Sequence, residues 1–257
     1  MAGYREKVRC TYHDINRVSV RDIVRMHEIF TGYYDNVELE VFLGDMGKKT
    51  GVFVMRAGNG PAERIVGFST VMHLDLAVEG RSARGIFSGD TIVERQFWGS
   101  RSLQRAFVAH VIRQRLVHPL RPLYWFLISK GYKTYLLLAN NYPRYYPNPE
   151  GRHRYLAHVV HTYCRHLFAK SYDNEKMLLD FGAGYQKLKD DVAGINDEMR
   201  RRYPKIAFFE QCNPSWQRGT ELPCVGEIAF SDLWRYFGSS WRKLLSRRSP
   251  APEVRYE

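Results

Sequence analysis

The segment IFSGDTIVERQFWGSRSLQRAFVAHVIRQRLVHPLRPLYWFLIS constrains the fold more than any other, because it reads as strand, turn, helix and strand in succession. From 86 to 93 the alternation sets Ile86, Ser88, Asp90 and Ile92 on one face and Phe87, Gly89, Thr91 and Val93 on the other. Both faces are partly apolar, as in a central strand. The helix behind it carries the rows Leu103, Phe107, Val111 and Val108, Ile112, Leu116, each spaced by four, and stops before Pro119. LYWFLIS, 123 to 129, is the second strand. Such a unit joins parallel strands through a right-handed crossover.

The rest of the chain is read around this unit. With 257 residues, 44% of them hydrophobic, it is long enough for one large domain or a domain with a substantial extension, and it is neither disordered nor membrane-spanning. The N-terminus, MAGYREKVRC, has charges but no apolar segment behind them, which argues against a secretory signal and for a cytoplasmic protein. Cys10, Cys164, Cys212 and Cys224 show no close pairing, so free thiols are expected rather than a disulfide framework or a zinc ribbon. Lys and Arg outnumber Asp and Glu by 39 to 27, a net charge of +12 that favours an anionic partner without choosing one.

Residues 18–33 place Val20, Ile23, Val24, Met26, His27 and Phe30 near a helical repeat, and a short helix follows from Val37 to Phe42. Strands are expected at 51–58 and 64–78, then a turn at EGRSARG leads into the strand at 86–93. After 129 a short helix and an aromatic, proline-rich loop close a first unit at about residue 150. The extension, 151–257, reads as helices at 152–169, 175–189 and 191–202, a strand at 205–209, and two strands around NPSWQRG, packed on the same domain.

Chemistry concentrates at TIVERQFWGSRSLQRAF, where a strand end feeds straight into a helix N-terminus and points free amides and a positive dipole end at whatever lies above. Gly99 permits close backbone approach, Ser100 and Ser102 offer hydroxyls and Arg101 a phosphate-matching guanidinium, so a pyrophosphate fits. The competing reading is that Gly99 and Ser100 only start and cap a packed helix.

The order of elements and the run Gln96-Phe97-Trp98-Gly99-Ser100-Arg101 resemble the GNAT acyltransferase superfamily over residues 15–147. The resemblance implies an α/β fold: a mixed, mainly antiparallel central sheet with a parallel, splayed strand pair, helices on both faces, and here a C-terminal helical and β extension. It implies an acyl-coenzyme A, or an acyl-phosphopantetheine on a carrier protein, bound by Thr91, Val93, Gln96, Trp98, Gly99, Ser100, Arg101 and Ser102. Arg101 stands where the family has a small residue, so the loop is wider or a side chain shares the phosphate. The pantetheine arm would lie between the strands at 86–93 and 123–129, with the thioester near Gly89 to Thr91.

Attack of an amine on a thioester needs a base, because an ammonium has a pKa of about 10. Asp90, inside the strand, is the first candidate and Glu94 the second. The family's usual acid, a tyrosine on the helix after the fifth strand, falls at Tyr135, although Ser129 replaces the asparagine usual at the strand end. His73 and Asp75 on one strand face, and Tyr142 and Tyr145 in the aromatic loop, are candidate acceptor or acyl contacts. His158, His161 and Cys164 share a helical face but lack a completing carboxylate, so no metal is expected. Trp234, Phe237, Trp241 and Leu244 or Leu245 lie at helical spacing in a basic tail that suits a packed stripe or an anionic surface.

The function expected is therefore transfer of an acyl group, medium or long, from acyl-coenzyme A or acyl-carrier protein to an amine on a small molecule or peptide. The alternatives are a GNAT-like protein that binds an acyl thioester without turning it over, and a basic nucleic-acid binder. No RNA-binding motif supports the last.

Overall fold

The computed structural model describes residues 6–35, 37–182, 187–188 and 194–231. In chain order the elements are β1 (Val8–Asp14), α1 (Val20–Thr31), β2 (Tyr34–Asp35), α2 (Leu39–Gly47), β3 (Gly51–Ala57), β4 (Arg64–Val78), β5 (Arg81–Val93), α3 (Ser102–Val117), β6 (Leu123–Ser129), α4 (Tyr132–Asn141) and β7 (Tyr145–Tyr146). They continue with α5 (Leu156–Phe168), β8 (Tyr172–Asp173), β9 (Leu178–Leu179), β10 (Lys187–Leu188), α6 (Asp197–Arg202), α7 (Pro204–Cys212) and β11 (Leu222–Glu227).

Seven strands form the central sheet in the order β1-β3-β4-β5-β6-β11-β7, antiparallel throughout except for the parallel pair β5 and β6. This is the mixed, mainly antiparallel sheet with one parallel pair that was expected. On one face α3, α4 and α7 cover Phe53, Val71, Ile86, Leu123, Trp125 and Leu127. On the other, α1 and α2 cover Val52, Val54, Phe68 and Ile92, and α5 covers Leu74, Leu76, Phe87 and Phe126. Ser19 caps α1 by accepting the Asp22 N–H at 3.1 Å, and Met26, Ile29 and Phe30 form its buried stripe. Tyr163, fully buried on α5, donates its hydroxyl to the carbonyls of Leu127 and Cys224 and so ties that helix to β6 and β11.

Several sequence expectations are corrected. The turn after β4 is two residues, Glu79 and Gly80, both with positive φ (50° and 75°), and β5 begins at Arg81 rather than at 86. Such a tight turn matches the twist of the flanking strands. Alternation along β5 is broken by a bulge: Ser69 pairs with Thr91 and Val71 with Ser88, so Gly89 and Asp90 together face Thr70. Ile86 and Ile92 consequently point to opposite faces.

In the second α3 row, Leu116 is 64% exposed. Val8–Asp14, an alternating segment not foreseen, supplies an edge strand that packs Val8, Cys10 and Tyr12 inward.

The region from 175 to 189 is not a helix where it is described: the Asp173 carboxylate accepts the N–H groups of Glu175 and Lys176, and the chain turns back into β9. The segment 205–209 is helical, not a strand, because Pro204 starts α7 and Ile206 and Phe209 bury one turn apart. Among the described residues only one strand, β11, forms after NPSWQRG, and it enters the sheet between β6 and β7. The basic aromatic tail lies outside the described residues. No described helix is long and apolar enough to cross a membrane.

Candidate active site

Pairing between β5 and β6 runs from Arg84 with Leu123 to Ser88 with Leu127 and then ends. Beyond it β5 follows β4 to Val93, while Ile128 and Ser129 pair with Pro223 and Leu222 on their other side. The sheet therefore opens between residues 89–93 and 128–129.

At the far end of this opening, Phe97 to Ser100 form a type II turn. Trp98 has φ −58° and ψ 137°, Gly99 has φ 87°, and the Ser100 N–H donates to the Phe97 carbonyl at 3.0 Å. The positive φ is what requires glycine there. Arg101 sits at the N-cap of α3 without a capping side chain, and the Ser102 N–H of the first turn donates to the Ser100 hydroxyl at 3.4 Å. The Ser100 and Ser102 hydroxyls lie 3.0 Å apart. The turn thus brings Trp98, Gly99, Ser100, Arg101 and Ser102 together at a helix N-terminus.

Its neighbours are more engaged. The Trp98 indole N–H donates to the Val93 carbonyl at 2.7 Å, and Lys133 on α4 lies 4.6 Å from the Trp98 ring centroid. The Gln96 amide donates to Glu94, whose other oxygen accepts from Arg25 at 2.6 Å, so Glu94 is already charge-paired. The Thr91 hydroxyl is 2.7 Å from that of Ser69.

A cluster of charges occupies the bulge. Burial raises the pKa of the Asp90 carboxyl, opposed by the nearby Lys49 and Lys130 ammonium groups. Glu221, 3% exposed, ion-pairs with Lys130 at 3.3 Å. Burial raises its pKa too, Lys130 opposes the rise, and the like charge of Asp90 adds to it. Lys130 lies 5.1 Å from the ring centroid of Tyr34, whose hydroxyl is also pushed up by burial and by these two carboxylates. Across the bulge stands Thr70, fully buried. Of these residues, sequence reasoning named only Asp90. Glu221 arrives from the distant β11 and Lys130 from the end of β6, and no local pattern links them.

The remaining candidates lie elsewhere. Tyr135 is 0% exposed, packs against Tyr145, Phe208 and Phe209, and donates its hydroxyl to the Pro147 carbonyl at 3.2 Å. Tyr145 is buried beside it and Tyr142 packs on Trp125 at 4.8 Å. Asp75 is ion-paired with Arg84 and Arg121. His73 places Nε2 2.8 Å from Nε2 of His110, and burial lowers both imidazole pKa values to about 4. On α5, Cys164 is buried, His161 bonds the Tyr172 hydroxyl at 2.7 Å, and His158 is exposed. Among the described residues no three His, Cys, Asp or Glu side chains converge to hold a metal ion.

No protein-family model matches the chain, and no curated protein matches it in sequence. Solved structures similar to it include a probable N-acyltransferase from Enterococcus faecalis (9% identity, TM-score 0.38), where the match spans 52% of this chain but only 32% of that one. A GNAT family N-acetyltransferase from Escherichia coli in complex with CoA matches over 48% of this chain and 64% of its own (11% identity, TM-score 0.33). An acetyltransferase from Trypanosoma brucei matches over 51% and 91% respectively (17% identity, TM-score 0.34).

Proposed function

We propose that the protein is an N-acyltransferase that moves an acyl group from a pantetheine thioester to an amine. The observation that carries this reading is the opening between β5 and β6, bounded at one end by the half-buried carboxylate of Asp90 and at the other by the type II turn and the N-terminus of α3. An extended amide-bearing arm can bond the unpaired strand edge, and its phosphates suit the helix end.

In this reading Asp90 takes one proton from the acceptor ammonium, directly or through water, and passes it to solvent. The freed lone pair attacks the thioester carbon, and negative charge on the carbonyl oxygen is met by backbone N–H near the bulge. As the tetrahedral intermediate collapses, the C–S bond breaks, the electron pair leaves on sulfur, and the second amine proton ends on the thiol. Tyr135 is given no part, because its hydroxyl is enclosed in the core.

The donor is coenzyme A or a phosphopantetheinyl carrier protein; the net charge of +12 favours the approach of an acidic carrier as well as of a free nucleotide. A medium or long acyl chain belongs to the same proposal. The test is thermal shift and turnover with coenzyme A and its thioesters from acetyl to palmitoyl, and with loaded carrier protein, for wild type and Asp90→Asn. We expect a donor-induced rise in Tm in both proteins, and turnover lower by about 10²- to 10⁴-fold in the variant. Stabilisation without turnover in the wild type would favour the non-catalytic thioester binder. No response to any donor would overturn the proposal.

A further inference from the structure

Thr70 carries a polar group that the fold leaves without an obvious use, and Lys49 stands close by with its charge directed towards Asp90. Thr70, on β4, is 0% exposed, and its hydroxyl oxygen is buried with no hydrogen-bond partner. Leaving a buried hydroxyl unpaired is costly, so such a group points to a ligand. Lys49 follows α2 and makes no ion pair among the described residues; its ammonium lies 5.9 Å from the Phe87 ring centroid.

The two converge on one point. A Cβ placed on Gly89 would stand 2.4 Å from the Thr70 hydroxyl and 3.3 Å from the Lys49 ammonium. Glycine at the bulge therefore lets the Thr70 hydroxyl and the Lys49 ammonium both stand close against the strand, with no side chain between them. The next residue along β5 is Asp90, so a negative group sits immediately beside this positive one. Lys130 and Glu221 neutralise each other behind them.

This juxtaposition selects among amines. A simple amine would satisfy Asp90 and leave the Thr70 hydroxyl unpaired, while a polycation would be repelled by Lys49. A ligand with an ammonium and a carboxylate on the same carbon satisfies both walls. We propose, resting on the amine-acylation reading above, that the acceptor is a free α-amino acid, its carboxylate held by Lys49 Nζ and the Thr70 hydroxyl beside Gly89 and its ammonium by Asp90.

The experiment measures kcat/KM, with one fixed acyl donor, for a panel of amino acids, the same compounds as primary amides, and their decarboxylated amines. Wild type is expected to prefer the free acids by about thirtyfold, carried mainly by KM. Lys49→Met and Thr70→Val should bring that preference close to unity, and Lys49→Arg should restore part of it. Because its hydroxyl serves no internal bond, Thr70→Val is expected to melt at or above the wild-type Tm. Equal use of acids and amides by the wild type would overturn the proposal. So would an equal loss for both in Lys49→Met, which would assign Lys49 to the thioester instead, or a lower Tm for Thr70→Val. Failure to acylate any amine with any donor would sink the parent reading, an outcome distinct from acylation without carboxylate preference.

Discussion

The ammonium of Lys130 lies 3.3 Å from the carboxylate of Glu221, with side-chain exposures of only 12% and 4%. Removing one member of such a pair strands the other in a poorly solvated site. Lys130→Met is therefore expected to cost about 3–5 kcal/mol, and the double variant Lys130→Met, Glu221→Leu less than the sum of its parts, as read by urea denaturation. Lys130 also opposes the rise in the Asp90 pKa, so its loss lifts that pKa further. Where Lys130→Met still folds, the acid limb of the kcat/KM profile moves to higher pH.

Gly99, at φ 87°, has no atom within 4 Å of where a Cβ would be, so a side chain there is penalised by backbone conformation alone. Gly99→Ala should lower stability by about 1–2 kcal/mol. If the turn holds the donor phosphates, the affinity for coenzyme A measured by calorimetry falls more than a loss of stability alone explains.

Tyr135→Phe separates a core tyrosine from a proton donor. Its hydroxyl donates to the Pro147 carbonyl inside the core, so the change should cost about 1 kcal/mol of stability. Turnover should stay within about twofold of wild type. A loss of turnover of about a hundredfold with normal donor binding would return the acid role to Tyr135.

His73 and His110 face each other through Nε2 at 2.8 Å and share at most one hydrogen between those atoms. Their folded pKa values, depressed to about 4 by burial and by neighbouring positive charge, lie below the ordinary 6.5 of the unfolded chain. The unfolded state therefore binds more protons between these values. Stability is complete above about 6.5, declines as pH falls towards about 4, and gains no further slope from this pair below that. Denaturant midpoints across this window should show the decline, and His110→Phe, which suits a cage of Tyr12 and Phe53, should flatten it.

Local pattern was enough to determine β3, β4, β6, α1 and the crossover from β5 through α3, because a periodicity of two or of three to four survives wherever one face is buried. It also located the Phe97–Ser100 turn, whose glycine and following helix are contiguous in the chain. What failed locally failed for tertiary reasons. The apolar run at 205–209 suits a strand or a helix equally, and burial of Ile206 and Phe209 one helical turn apart decided it. The bulge that turns Ile86 and Ile92 to opposite faces exists only in the register between β4 and β5.

The charged cluster shows the same division. Asp90 was legible because it interrupts an apolar strand, but the lysines that act on it come from the end of α2 and the end of β6, which the fold brings together. Electrostatic coupling depends on distance through space and on the exclusion of water, and neither is a property of spacing along the chain. Which elements would form could thus be read from residue order; which charges and hydroxyls would meet at Gly89 was decided only when the sheet closed around them.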